Sequence, residues 1–315
     1  HVTYTQQYRR CGRAGCPTCG SGQPGHGPYW YAYWRENGQV HSRYIGKSSP
    51  YEALSALNNG GTTPTVDTRV LRVRTLGAFS VLRGREQIPA ECWARRSGTV
   101  LFKCLLCAPG HRMHQEQLID VLWPSASSAV GAGNLRVAVH WLRKLVDGDG
   151  KTHIPLVDHW LTLAPSLHGD SPVEWLDADA FVEHANRALA GDDLASCRAA
   201  LDLYGGEYLP DDRYEEWAMS RREELRQLRL AVLLHAADLC ARAGASQEAS
   251  RHLHALLAAD SCHEVAARAL MHLHTDSGRR AEAIRVYRRL ARDLKAELDL
   301  QPEPETQALC RMLYQ

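Results

Sequence analysis

The sequence predicts a mainly α-helical protein with small β parts, built from three consecutive segments. Three observations predict this fold class: a front rich in Cys and aromatic residues, a middle that mixes strand and helix patterns, and a long helical end that repeats. The chain has 315 residues, 44% hydrophobic and 23% charged, as expected for a soluble protein with two or three cores. No membrane span and no signal peptide are expected, because no apolar run approaches the ~20 residues that a span needs.

Residues 1–57 are expected to form a small β-hairpin module. Residues 28–35 are rich in Tyr and Trp, which strands favour. The Asn37-Gly38 pair that follows tolerates the positive φ of a tight hairpin turn, so a return strand is predicted after it. The residues before the hairpin are rich in Gly, Pro and Cys and predict a loop. A Gly- and Thr-rich linker is predicted at residues 58–65.

Three cysteines and a histidine in this module have the spacing of a structural zinc site. Zn²⁺ prefers four N or S ligands in a tetrahedral arrangement, and a short loop can supply them. His41 of the hairpin is the alternative fourth ligand. A module with so few aliphatic residues needs a cross-link such as a bound metal ion in order to fold. This need favours zinc over the alternative of free or redox-active cysteines. The predicted ligands are Cys11, Cys16, Cys19 and His26.

Residues 67–165 are expected to form a winged helix-turn-helix with an N-terminal sheet. The basis is the order of the patterns: short strands, three helices, then a closing hairpin. Pro109-Gly110, Pro124 and the turn at 147–150 end the three helices. The predicted strands cover 70–76, 78–82, 87–89, 152–156 and 160–163, and the predicted helices cover 92–107, 114–122 and 128–146.

Residues 172–315 are nearly all helical and contain a 34-residue repeat. This period is the signature of tetratricopeptide helix-turn-helix units, which bury their apolar faces only against neighbouring units. An all-α, tetratricopeptide-like superhelix is therefore expected. The recurring positions are Gly244, Ala249 and Leu256, followed by Gly278, Ala283 and Leu290.

Charge is distributed unevenly along the chain. Residues 1–66 carry six Lys/Arg against two Asp/Glu, residues 67–165 thirteen against eight, and residues 166–315 eighteen against twenty-six. An anionic partner is therefore expected to meet the first half. The ten cysteines do not suggest a disulfide framework, which favours a reduced, cytoplasmic compartment. No catalytic motif is present, so an enzyme is not expected.

Several separated motifs, in order, resemble the SARP-type transcription activators over residues 70–313. That family joins an OmpR-type winged helix to a bacterial transcriptional activation domain. The front segment is similar to a small zinc-ribbon-like module of bacterial proteins, ending in Arg43 to Lys47. The motifs of the SARP resemblance include Leu71 to Gly77, Trp93 to Arg96, Pro109 to Arg112, Leu122-Trp123-Pro124, Asn134 to Val137, Leu142 to Leu145, Tyr204 to Asp211, and Leu298 to Thr306.

The resemblance implies a sequence-specific transcription activator. It would bind double-stranded DNA, recruit the RNA polymerase holoenzyme and be regulated through its helical-repeat domain, with a homodimer through that domain as a further expected assembly. The segment 124–133 resembles the loop with which OmpR-type activators touch polymerase. The alternatives are a tetratricopeptide-type protein-interaction scaffold and a small-molecule or nucleotide sensor that controls DNA binding.

The third predicted helix of the middle segment, residues 128–146, is the expected DNA-reading element. Arg136, His140 and Arg143 share a face away from the apolar stripe, flanked by Asn134 and Lys144. An α-helix fits the major groove, and Arg and Asn bond bidentately to guanine and adenine edges. A solvated polar face is the alternative, but the resemblance and the basic charge favour DNA.

Phosphate contacts are expected from cationic side chains outside this helix. Arg95 and Arg96 near the start of the first helix, together with Lys151 and His153 beside the wing, are the candidates. The wing tip, residues 157–160, lacks the arginine with which OmpR-type wings enter the minor groove.

Overall fold

The computed structural model describes residues 2–9, 11, 16, 26–36, 39–46, 71–84, 86–147, 153–164 and 175–314. The chain divides into two compact units, His1–Thr65 and Val66–Gln315. The predicted linker at 58–65, the zinc candidate Cys19 and the phosphate candidate Lys151 lie outside the described residues. The described part is mostly helical with small sheets, which confirms the predicted fold class.

The first unit contains a three-stranded antiparallel sheet. It comprises β1 (Val2–Arg9), β2 (His26–Glu36) and β3 (Gln39–Gly46), with β2 in the centre. The predicted hairpin is confirmed as β2 and β3. Strand β1 corrects the expected loop at the start, because the polar segment from Val2 to Arg9 pairs along the free edge of β2.

The second unit begins with a sheet, a helix-turn-helix and a wing, as predicted. The first sheet is antiparallel, and the second has the order β7-β9-β8, with the wing hairpin formed by β8 and β9. The elements are β4 (Leu71–Arg74), β5 (Ser80–Arg83), β6 (Glu86–Gln87), α1 (Arg96–Cys107), β7 (Arg112–His114), α2 (Gln115–Leu122), α3 (Ser128–Val146), β8 (Leu156–Val157) and β9 (Trp160–Thr162).

Three elements here differ from the prediction. In place of the strand expected at 152–156, strand β8 covers only Leu156–Val157. The first helix begins at Arg96 rather than at residue 92, because Ala90–Trp93 forms a 3₁₀ turn and Arg95 has an extended backbone as the N-cap. Strand β7 was not predicted. It consists of only three residues and owes its conformation to pairing with β9, which is distant in sequence.

Helices α1 and α3 approach each other closely where Gly98 faces the ring of Trp141. A Cβ atom at Gly98 would lie 2.1 Å from Cε3 of Trp141, so the indole occupies the space that a side chain would need. The same ring lies 6.4 Å from the ring of Trp93, centroid to centroid. Trp141 therefore helps to fix the position of α3 on the rest of the winged helix.

The remainder of the unit is a succession of helices in which each packs against the next. The predicted repeat is confirmed: Gly244 and Gly278 have φ of 74° and 71° in equivalent turns, and Ala249 and Ala283 are fully buried. The helices are α4 (Asp177–Ala190), α5 (Leu194–Leu203), α6 (Glu216–Arg242), α7 (Ser246–Ala259), α8 (Glu264–Asp276), α9 (Arg280–Leu298) and α10 (Pro304–Tyr314).

The winged helix and the helices that follow share one hydrophobic core. Phe102 and Leu142 of the former belong to the same buried cluster as Phe181 and Tyr208 of the latter. Since neither part buries its apolar surface alone, the two are expected to unfold together. Among the described residues, none of the helices has both the length and the apolar character that crossing a bilayer requires.

Polar contacts at this junction centre on Asp177, the first residue of α4. Its carboxylate accepts hydrogen bonds from the backbone N–H groups of Thr75 (2.8 Å) and Leu76 (2.9 Å), and from the Thr75 hydroxyl (2.7 Å). Nearby, the buried Lys103 of α1 forms an ion pair with Asp212. These contacts join the first sheet and α1 of the winged helix to the helical domain.

Candidate nucleic-acid interface and metal site

Helix α3 presents an exposed polar stripe opposite its buried face. Arg136, Val137, His140 and Lys144 are exposed and fall on one side of the helix. Asn134 lies beside them and is half-buried. Within the described part of the chain, no hydrogen bond or ion pair engages Arg136, His140 or Lys144. The buried face consists of Gly131, Leu135, Ala138, Val139, Leu142 and Val146.

Arg143 of the same helix differs from these residues because its side chain is hydrogen-bonded within the protein. Its Nε and Nη2 atoms donate to the carbonyl oxygen of Ile154 at 2.9 and 2.7 Å, so the guanidinium connects α3 to the segment that leads into the wing. The geometry therefore favours a positioning role over the predicted base contact. His153 is 2% exposed, which makes its predicted phosphate contact wrong, because a buried imidazole cannot reach DNA.

An arginine that the sequence pattern did not reveal lies beside the wing. The turn between β8 and β9 has φ of 48° at Asp158 and 66° at His159, as a two-residue hairpin turn requires. Beside it, the guanidinium of Arg112 on β7 stacks over the Trp160 ring, 4.9 Å from its centroid. Sequence reasoning missed Arg112 because its strand is formed only through pairing with β9.

The other predicted phosphate contacts lie at the start of α1. Arg95 and Arg96 are both exposed, and the Arg96 side chain is 86% accessible. Its Nη2 atom lies 3.6 Å from Oε1 of Glu215, a surface pair too exposed to hold the arginine strongly. Both side chains are therefore available to an anionic partner.

The connection between α2 and α3 is shorter than the predicted loop at 124–133. The helix begins at Ser128, so the segment between the helices is Trp123 to Ser127, and residues 128–133 form the first turns of α3. Pro124, Ser125 and Ser127 are exposed.

A cavity of about 960 Å³ lies between the winged helix and the helical domain. Its size is in the range of small-molecule sites, so the sensor alternative has a candidate binding cavity among the described residues. The lining is mixed aromatic and charged, and His111 Nε2 contacts Asp179 Oδ2 at 2.7 Å within it. The aromatic and charged side chains that line the cavity include Arg112, Trp160, Trp217, Arg221 and Glu224.

The first unit brings together three of the four predicted zinc ligands. One ligand atom each from Cys11, Cys16 and His26 lie within 4.8 Å of one another, and Cys16 Sγ is 3.4 Å from His26 Nε2. The sheet explains this proximity: Arg9 pairs with His26, and Cys11 follows Arg9 by two residues. The donor set suits Zn²⁺. The fourth ligand, Cys19 or the side chain of His41, falls outside what the structure describes.

Cys104 and Cys107 on α1 have the packing role expected from their apolar surroundings. Cys104 is buried, and Cys107 Sγ lies 3.4 Å from the hydroxyl of Tyr208. Burial raises the pKa of the Cys107 thiol to about 11, and it raises that of Cys104 further. Their burial and the Tyr208 contact fit a packing role.

Comparisons with known proteins agree with this architecture. Residues 176–313 match the model of the bacterial transcriptional activator domain, and residues 2–54 match a domain of unknown function, DUF6788. The regulatory protein AfsR of Streptomyces coelicolor is 28% identical over 253 residues, and AfsR of Streptomyces griseus is 28% identical over 259. These alignments cover 79% and 77% of this chain but only 25% and 24% of the relatives.

The fold also has a solved counterpart. The structure of Mycobacterium tuberculosis EmbR in complex with a low-affinity phosphopeptide superposes with a TM-score of 0.64 at 20% sequence identity, covering 78% of this chain and 65% of that one. The chain is therefore similar in sequence to the bacterial transcriptional activator domain and to the AfsR regulatory proteins, and it is similar in fold to EmbR.

Proposed function

We propose that this chain is a transcription activator that binds double-stranded DNA sequence-specifically through the exposed face of α3. The observation that carries the proposal is the polar stripe of Arg136, His140 and Lys144, which is exposed and engaged by no described partner. It lies on the second helix of a helix-turn-helix, the element that enters the major groove in such folds. The basic charge of residues 67–165 supports the proposal.

The side chains divide into two roles on this proposal. Arg136, with the half-buried Asn134 beside it, contacts base edges, because guanidinium and amide groups discriminate guanine and adenine. Lys144, Arg95, Arg96 and Arg112, which lies beside the wing, contact phosphates, and these contacts position the protein without reading sequence. Arg143 acts on DNA only indirectly, by tying α3 to the segment before the wing through the Ile154 carbonyl.

Recruitment of RNA polymerase is the second half of the proposal. The segment from Pro124 to Ser127, which is exposed at all positions but Ala126, leads directly into α3, the helix with the DNA-facing stripe. The helical domain shares a core with the winged helix, so a change in that domain is transmitted to α3 through packed side chains. The regulatory part of the proposal rests on this shared core and on the activator-domain family match.

The proposal is tested by measuring how tightly the protein binds the DNA that lies upstream of its own operon. Binding is measured by fluorescence anisotropy over a range of salt concentrations. Lys144→Ala is expected to weaken binding to specific and unrelated DNA about equally and to reduce the salt slope by about one. Arg289→Ala on α9 is the matched control, since it removes a cation that is also exposed but lies in the helical repeats. Equal effects of the two substitutions, or no salt-sensitive binding at all, would contradict the proposal.

We also propose that the first unit holds one structural Zn²⁺ through Cys11, Cys16, Cys19 and His26. The convergence of Cys11, Cys16 and His26 supports it, and the metal would supply the stabilisation that a module of this size lacks.

Elemental analysis of Cys16→Ser is expected to show about one equivalent less zinc than the unchanged chain, because four ligands make one tetrahedral site. Cys92→Ser, an exposed cysteine elsewhere, is the control. Full retention of zinc in Cys16→Ser would exclude Cys16 as a ligand.

A further inference from the structure

A second group of metal-ligating side chains lies between helices α6 and α7. One ligand atom each from Cys240, Glu248 and His252 lie within 4.8 Å of one another. Glu248 and His252 are four residues apart on α7 and therefore share a face, and Cys240 comes from the end of α6. The three donors thus converge from two helices joined by the tight turn at Gly244.

The histidine in this group has an unused buried nitrogen. His252 Nε2 is shielded from solvent and has no hydrogen-bond partner, although Glu248 Oε1 lies 3.8 Å away. An unsatisfied buried polar atom is costly and calls for an explanation such as an ion.

We propose that Cys240, Glu248 and His252 bind a thiophilic divalent transition-metal ion of the zinc class. Thiolate, imidazole and carboxylate are all zinc ligands, and a water molecule completes the tetrahedron. The thiol selects against Mg²⁺ and Ca²⁺, which prefer oxygen donors. On binding, the Cys240 thiol releases one proton to solvent and its sulfur coordinates as thiolate. The ion would join α6 to α7 within the helical repeats.

Arg198 of α5 is the competing partner of the carboxylate. Its Nε and Nη2 atoms bond the two Glu248 oxygens at 2.8 and 2.7 Å, while about half of its side chain is exposed. The Glu248 side chain is only 20% exposed and the pair is bidentate, so the metal has to displace a charge-assisted contact to take the carboxylate. Arg198 then turns outward to solvent, and the site exchanges a contact between α5 and α7 for one between α6 and α7.

The first experiment measures metal content of the full chain after equilibration with Zn²⁺ and removal of excess. Cys240→Ala and His252→Ala are each expected to contain about one equivalent less than the unchanged chain. His254→Ala is the matched control: it also removes a histidine of α7, but one that is exposed and stacks near His274 instead. The loss is additive with that of Cys16→Ser in the first unit, which distinguishes the two sites.

The second experiment covers the case in which one of the alanine variants fails to fold. Glu248→Gln keeps the shape of the side chain and replaces the anionic ligand by an amide. Zinc affinity of the helical-domain site is expected to fall at least about tenfold, since even outer-shell substitutions have that effect. Titration with Co²⁺ follows the site in the Cys16→Ser background, which removes the metal site of the first unit. The thiolate charge-transfer absorption that remains is expected to disappear when Cys240→Ala is added. Folded Cys240→Ala, His252→Ala and Glu248→Gln chains with the same zinc content and cobalt spectrum as the unchanged chain would overturn the proposal.

Discussion

Replacement of Asp177 by alanine is expected to lower the free energy of unfolding of the second unit by roughly 2–5 kcal/mol. The carboxylate accepts the backbone N–H groups of Thr75 and Leu76, both buried residues, and no other acceptor replaces it when it is removed. Each buried donor left without a partner costs about 1–3 kcal/mol. Urea unfolding followed by tryptophan fluorescence measures the change.

The control for Asp177→Ala is the same substitution at Asp193. Asp193 also stands at a helix start, where it accepts the N–H groups of Ala195 (2.9 Å) and Ser196 (3.2 Å), but it is exposed and contacts only its own helix. Its loss is expected to destabilise the second unit much less than the loss of Asp177, because the cap is exposed and water can replace it. Equal costs at the two positions would show that Asp177 acts as a cap alone and does not join the winged helix to the helical domain.

Lys103→Met is expected to destabilise the same unit by about 3–5 kcal/mol. The side chains of Lys103 and Asp212 are 8% and 15% exposed, so removal of the cation leaves a largely buried carboxylate without a counter-charge. The ammonium also lies 4.6 Å from the centroid of the Phe79 ring, a favourable contact that the substitution removes. Thermal or urea unfolding of the full chain provides the measurement.

The double variant Lys103→Met, Asp212→Asn separates the charge effect from the packing effect. Because it removes both charges, it is expected to recover much of the stability lost in Lys103→Met. A double variant as unstable as the sum of the two single ones would indicate that the residues are not coupled. Arg187→Met, which breaks the exposed pair with Glu183, is expected to change stability by less than about 1 kcal/mol.

The helix-turn-helix could be predicted from sequence because its signals are local. Helix α3 begins and ends where the apolar periodicity, Pro124 and the turn at residue 147 place its bounds. The zinc candidates Cys16 and His26 are also close in sequence, and their proximity follows from one short loop and one hairpin. The bounds of the helix and the proximity of these two ligands can therefore be predicted from short stretches of sequence.

Features that depend on contacts between distant residues could not be predicted in this way. The contact of Arg143 with Ile154, the strand containing Arg112 and the role of Asp177 all depend on backbone atoms placed by the tertiary fold. The cluster of Cys240, Glu248 and His252 in the helical repeats is a further case. The spacing of Glu248 and His252, four residues apart, was the available signal, but Cys240 comes from another helix.

The central claim is that the exposed face of α3 reads base pairs, and selection of binding sites from a random DNA pool tests it most directly. The unchanged chain and Arg289→Ala are expected to enrich the same motif. Arg136→Ala is expected to relax one position of that motif, with a loss of discrimination there of roughly five- to 150-fold, as for a bidentate contact worth about 1–3 kcal/mol. Enrichment of an unaltered motif by Arg136→Ala, or of no motif by the unchanged chain, would contradict the claim.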